Sequence, residues 1–139
     1  MNERDDAWRA YVLAYDIEVP RERVEEELAL IVADMKHRMV YEQMSGGAMH
    51  LFPDAELAEQ RDALVEAAVF EAKEPLVLKA IIAEQGIEAT ADELLAEAEA
   101  MAEREGSTVE MLRRFFGKDL RGLERDVLNS KAINWALAQ

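Results

Sequence analysis

Apolar residues recur at intervals of three and four along most of the chain, and the places where that rhythm stops divide it into helices. A first helix runs from about Glu3 to Ala14, with Trp8, Tyr11, Val12 and Tyr15 on or near one side. A second runs from Pro20 to about Gln43, where Val24, Leu28, Ile31, Met35 and Met39 form a stripe. At 1.5 Å per residue, ~24 residues span ~36 Å, too long for a helix buried within a bundle of this size, so it should project. The segment Met44 to Pro53 reads as an unusually apolar loop, with Gly46 and Gly47 for its turn and Asp54 as cap of the next helix. A third helix, Asp54 towards Gln85, carries Leu57, Leu64, Ala68, Ala72 and Leu76 on its inner face, and Pro75 predicts a kink or short break within it. The second and third helices therefore form an antiparallel hairpin with Met44 to Pro53 at its tip.

Two helix starts resemble each other. Asp16-Ile17-Glu18-Val19-Pro20 leads into an acidic helix, with Pro20 suited to the first helical position. Gly86-Ile87-Glu88-Ala89-Thr90 leads into Ala91-Asp92-Glu93, where Thr90 and Glu93 make a capping box and Gly86 suits the left-handed end of the preceding helix. A fourth helix spans about Ala91 to Glu105 and buries Leu94, Leu95, Ala98, Met101 and Ala102; Gly106 stops it. Ser107 and Glu110 read as a second capping box, opening a short helix through Phe115 and Phe116 that Gly117 ends. The last helix runs from about Asp119 to Leu137.

Composition fixes the class. With 139 residues, 50% hydrophobic, 6% aromatic, 6 glycines and 3 prolines, in a text dominated by Ala, Leu and Glu, the chain is all-α and long enough for one domain. The net charge of −14, from 30 acidic and 16 basic residues, repels nucleic acid and anionic membrane surfaces and favours basic clients. One run opposes that balance: Arg113, Arg114, Lys118, Arg121 and Arg125, expected to be a solvated face paired with nearby acids, or failing that a docking patch. The chain has no cysteine, no apolar signal core at its N-terminus and no ~18-residue apolar run, which suggests a cytoplasmic protein.

No catalytic pattern emerges. His37 and His50 lack metal-ligand spacing and are expected to face solvent, Gly117-Lys118 lacks the upstream glycine of a phosphate loop, and Ser45, Ser107 and Ser130 sit in no nucleophile motif. Neither enzyme chemistry nor a cofactor or metal is expected. The positive signal is Met35, Met39, Met44 and Met49 around the hairpin tip with Val40, Tyr41, Leu51 and Phe52, because methionine's flexible, polarizable side chain accepts varied apolar partners. Met35, Met39, Val40, Met44, Met49, Leu51 and Phe52 are the candidate client-binding residues; the other reading is that a neighbouring helix or a second protomer covers them.

Taken in order, Tyr15-Asp16-Ile17-Glu18-Val19-Pro20, Gly86 to Leu94, Phe115-Phe116-Gly117-Lys118-Asp119-Leu120-Arg121-Gly122-Leu123 and Lys131-Ala132-Ile133 resemble the C-terminal, peptide-binding domain of trigger factor, the ribosome-associated bacterial chaperone. The resemblance covers nearly the whole chain. It implies a SurA-like helical body built from the N- and C-terminal helices, one arm at about 20–85, another at about 90–118, and a cradle between them for unfolded or nascent clients. Nothing resembles the family's ribosome-docking or prolyl isomerase domains, so neither ribosome binding nor isomerase activity is implied. The expected function is an ATP-independent holdase that binds apolar segments in the inter-arm cleft, as a stand-alone module or an excised domain. The alternative is an assembly domain whose apolar tip is buried in a homodimer or against a fixed partner.

Overall fold

A computed structural model describes residues 2–47 and 49–139, so Ala48 of the apolar loop lies outside the described residues. Among the described residues there is no strand, and the helices are α1 (Glu3–Ala14), α2 (Arg21–Met44), α3 (Pro53–Glu59), α4 (Arg61–Gln85), α5 (Ala91–Glu105), α6 (Val109–Phe116) and α7 (Glu124–Leu137), with a 3-10 turn at Arg121–Leu123. The all-α expectation holds. The chain divides into two compact units, residues 1–77 and 78–139, and the division falls within α4.

In the first unit α1 is tied to α4 by specific polar contacts. The Trp8 indole donates to Glu74 at 2.7 Å. The buried Lys73 ammonium donates to the Leu13 carbonyl at 2.8 Å. Lys73 thereby places a cation at the last turn of α1, which has no basic residue of its own to complement the carbonyl end of the dipole. Arg9 lies over the Phe70 ring at 5.2 Å, a cation–π contact.

Farther along the chain, α2 packs against α3 and the start of α4. Met39, Leu57 and Leu64 are buried there, with Leu28, Ile31, Val32 and Met35 partly buried around them. Lys36 pairs with Asp54 at 2.6 Å, while Leu28 and Leu64 line one groove; residues rising along α3 and α4 thus meet residues falling along α2, which makes the hairpin antiparallel.

Several boundaries differ from the sequence expectation. Pro20 is the cap of α2 rather than its first residue, with an extended ψ of 130°. Pro53 takes the first position of α3, so Asp54 lies inside the first turn instead of capping it. The expected single helix from Asp54 to Gln85 breaks at Gln60, between α3 and α4, and not at Pro75. Pro75 and Glu71 are both on the exposed side of α4, so water can take the hydrogen bond that the proline denies the Glu71 carbonyl, and the helix continues.

The second unit is organised around Leu94, Ala98 and Ala102 of α5, Leu112 of α6, Leu120 and Leu123 of the following turn and Val127 of α7, all buried in one cluster. The Thr90 capping box forms as its sequence predicts, with the Thr90 hydroxyl accepting from the Glu93 amide at 3.2 Å and the Glu93 carboxylate accepting from the Thr90 amide at 2.9 Å. Lys131 of α7 adds an ion pair to Glu93 at 2.8 Å. That ammonium and the two Thr90 hydrogen bonds hold the Glu93 carboxyl down at about 2.

The second expected box does not form. Thr108, not Ser107, caps α6, accepting from Met111 at 3.2 Å, so Glu110 is one place short of the reciprocal position. The last helix also starts later than expected, because Leu120 adopts a left-handed φ of 59° and a 3-10 turn intervenes. Gly122 sits hard against α6, where an added Cβ would meet Phe116 side-chain and backbone atoms at 2.8–2.9 Å.

Candidate functional site

The hairpin tip is where the first unit leaves large apolar side chains uncovered. Helical geometry turns about 100° per residue, so α2 carries two apolar faces and not one. Leu28, Ile31, Val32, Met35 and Met39 share the face that packs on α3 and α4. Leu30, Tyr41 and Met44 lie roughly opposite, with Val40 at their edge, and all four are exposed, Met44 at 82%. The loop adds Met49, Leu51 and Phe52, each more than 70% exposed.

Of the seven candidate binding residues, Val40, Met44, Met49, Leu51 and Phe52 are therefore open to solvent. Met39 is buried and Met35 half-buried in the hairpin's own core, which corrects their reading as surface. Tyr41 and Leu30 belong with the exposed face. The distinction was available in the spacing: Met35 to Met39 is one helical turn, whereas Met39 to Met44 steps across to the other side.

His50 holds the tip in shape. Its Nε2 lies 2.7 Å from the Glu42 carboxylate of α2 and its Nδ1 lies 2.7 Å from the Glu56 carboxylate of α3. Only the doubly protonated ring supplies a donor to both, and the hydrogen bonds to Glu42 first and Glu56 second raise the His50 pKa above its ordinary 6.5. The Gln43 amide donates to the His50 carbonyl at 3.1 Å, and the Gly47 amide donates to the Glu42 carbonyl at 2.7 Å. The His50 side chain is only 16% exposed, which corrects the expectation that it faces solvent; His37 is exposed as expected. Neither carboxylate could be assigned to His50 from sequence, because Glu42 and Glu56 reach it across a chain reversal.

Below the tip, an open groove of about 210 Å³ is floored by Leu28, Val32, Leu57 and Leu64 and edged by Lys36 and Arg61. Its apolar floor continues the hairpin core to the surface. No group of three or more His, Cys, Asp or Glu among the described residues could hold a metal ion, and none of their helices is long and apolar enough to cross a membrane.

The second unit carries a different exposed feature. Phe115 of α6 is 81% exposed and Met111, one turn earlier, is 46% exposed. The basic run around them was expected to pair with nearby acids, yet only Arg121 does so, with Asp119 at 3.8 Å and Glu124. Arg113 donates to the Lys118 carbonyl, and among the described residues Arg114, Lys118 and Arg125 have no carboxylate partner.

The bacterial trigger factor C-terminus family matches residues 2–138. Among individual relatives, the trigger factor of Bacillus mycoides (strain KBAB4) is 26% identical over 132 residues, covering 95% of this chain and 31% of that protein. The trigger factor of Bacillus cereus (strain B4264) is 27% identical over the same coverage. That of Bacillus thuringiensis (strain Al Hakam) is 26% identical, also over 95% and 31%. The chain thus spans about a third of the length of these relatives. No solved structure gives a significant match. A match that begins at the cap of the first helix and ends at the cap of the last one covers the capping box at Thr90 and the turn at Leu120 alike, and the chain belongs to the bacterial trigger factor C-terminus family.

Proposed function

We propose that this chain is an ATP-independent chaperone of the holdase type, covering apolar segments of unfolded or nascent proteins with the exposed face of the hairpin tip. The carrying observation is the run of uncovered side chains Val40, Tyr41, Met44, Met49, Leu51 and Phe52 on one hairpin end. Apolar surface of this kind is uncommon without a partner, and three of its elements suit a changing partner: flexible methionines, a loop and two aromatics, of which Tyr41 also carries a polar hydroxyl. Family membership supports the same reading. The surrounding negative charge favours clients with basic flanks and keeps loaded complexes apart in solution.

The test is suppression of aggregation of a chemically denatured protein, without nucleotide, by the parent chain and by a variant carrying Met44→Ser, Met49→Ser and Phe52→Ser. All three positions are exposed, so the variant should keep its helical circular dichroism and lose most of its protective capacity. Unchanged protection overturns the assignment. Light scattering over a dilution series supplies the second arm: a tight dimer that binds no denatured protein would make the tip an assembly surface instead.

A further inference from the structure

The outer face of α6 has a composition that the hairpin tip lacks. Val109, Leu112 and Phe116 turn inward onto the second unit's core. At about 100° per residue, Met111, Arg114 and Glu110 fall on the opposite side, Phe115 lies on the flank beside Met111, and Lys118 follows just beyond the helix end. An aromatic ring that is 81% exposed on a regular helix has no packing role to explain it.

The cations beside it are uncommitted. Carboxylates outnumber lysines and arginines by 30 to 16 in this chain, yet only part of the cations pair with one among the described residues. Arg21, Arg23, Lys36, Arg38, Arg104, Arg121 and Lys131 all have one. Arg114 and Lys118 do not, although Glu110 stands one turn before Arg114 on the same helix. This leaves an apolar centre with two uncommitted positive charges at its edge.

We propose that the outer face of α6 docks an acidic polypeptide segment bearing one apolar anchor residue, with Phe115 and Met111 receiving the anchor and Arg114 and Lys118 receiving the flanking carboxylates. Charge complementarity selects the occupant. A basic segment gains nothing from Arg114 and Lys118, and a nucleic acid or an anionic bilayer would bring far more negative charge against a chain of net charge −14 than a short acidic segment does. An acidic segment pairs locally with the patch while the rest of the surface restricts where else it can settle. The surface thus belongs to a different unit and has a different charge preference from the hairpin tip, and it does not depend on the tip being a client site.

The experiment uses the whole chain and a short fluorescein-labelled peptide of Glu and Asp around a central Leu-Phe, followed by anisotropy at low and moderate salt. The expected result is binding that weakens with salt, falls by about tenfold or more for Phe115→Ser, as for a central aromatic anchor, and falls comparably for the double variant Arg114→Glu, Lys118→Glu. The companion peptide with Gln and Asn in place of the acids should bind at least about tenfold more weakly. Equal binding of the acidic and amide peptides, or no effect of either variant, overturns the proposal. So does binding of single-stranded RNA, of phosphatidylserine vesicles or of a second copy of the chain that is lost in the same variants, since each would give the patch a different occupant. The tip variant Met44→Ser, Met49→Ser, Phe52→Ser should leave peptide binding unchanged, and loss of binding there would place the site on the hairpin.

Discussion

The hairpin of the first unit and the helical cluster of the second use similar residues to opposite ends. The hairpin contact buries Met39, Leu57 and Leu64 and leaves larger apolar side chains outside; the cluster buries Leu94, Ala98, Ala102, Leu112, Leu120, Leu123 and Val127 together. Burial of apolar area is the main stabilising term in folding, so the second unit, Met111 and Phe115 of α6 apart, commits its large apolar residues to its own stability while the hairpin holds a larger share of them at the surface. A long helix can do both because its two faces are independent: on α2, Met39 supports the fold and Met44 stays exposed.

Core truncation should separate the two regions most strongly. Leu123→Ala, at a fully buried position, is expected to cost about 3–4 kcal/mol, whereas Met39→Ala, at the edge of a small cluster beside an open groove, should cost about 2 kcal/mol because the site can partly collapse. Urea denaturation of both variants measures the difference, and equal losses would erase the contrast. Gly122→Ala should come next, at about 1–3 kcal/mol, because its new methyl group meets Phe116 backbone that cannot move aside. Thr90→Ala removes one half of the capping box and should cost about 1 kcal/mol, read as a lower thermal midpoint.

The smallest effect is on pH, and its sign differs between the regions. Glu93 has a folded-state pKa of about 2, below its ordinary 4.5, so its contribution is complete above 4.5 and is lost as pH falls towards 2. His50 has a raised pKa, so its contribution is complete below 6.5 and is lost as pH rises through the raised value. Amide hydrogen exchange corrected for intrinsic rates should show α5 opening first in acid and the loop around His50 opening first in base. His50→Gln should abolish the basic limb alone.

Much of this architecture was legible in the sequence because its signals are local. The Thr90 box, the stop at Gly106 and the end of α6 at Gly117 each depend on residues within a few positions, and all three appear where the text places them. The misjudged features depend on distant or exposed-side context. Pro75 is tolerated because its side of α4 faces water, which spacing alone does not reveal. The break at Gln60 comes in a stretch without a strong breaker, where α3 packs on α2 and α4 begins anew. At the tip, grouping methionines by kind merged two helix faces that periodicity separates, the buried one with Met39 and the exposed one with Met44.

The corner between α6 and α7 carries one more consequence. Gly117 and Leu120 take positive φ values of 99° and 59°, and Gly122 has no room for a Cβ. At Leu120 a glycine would relax the backbone but forfeit a side chain that is 2% exposed, so the position is caught between two demands. Residues fixed by such geometry resist drift whatever the molecule binds. The corner's backbone is thus dictated by packing, and changes in what the molecule recognises have room only on faces that folding leaves free, such as those of Met44 and Phe115.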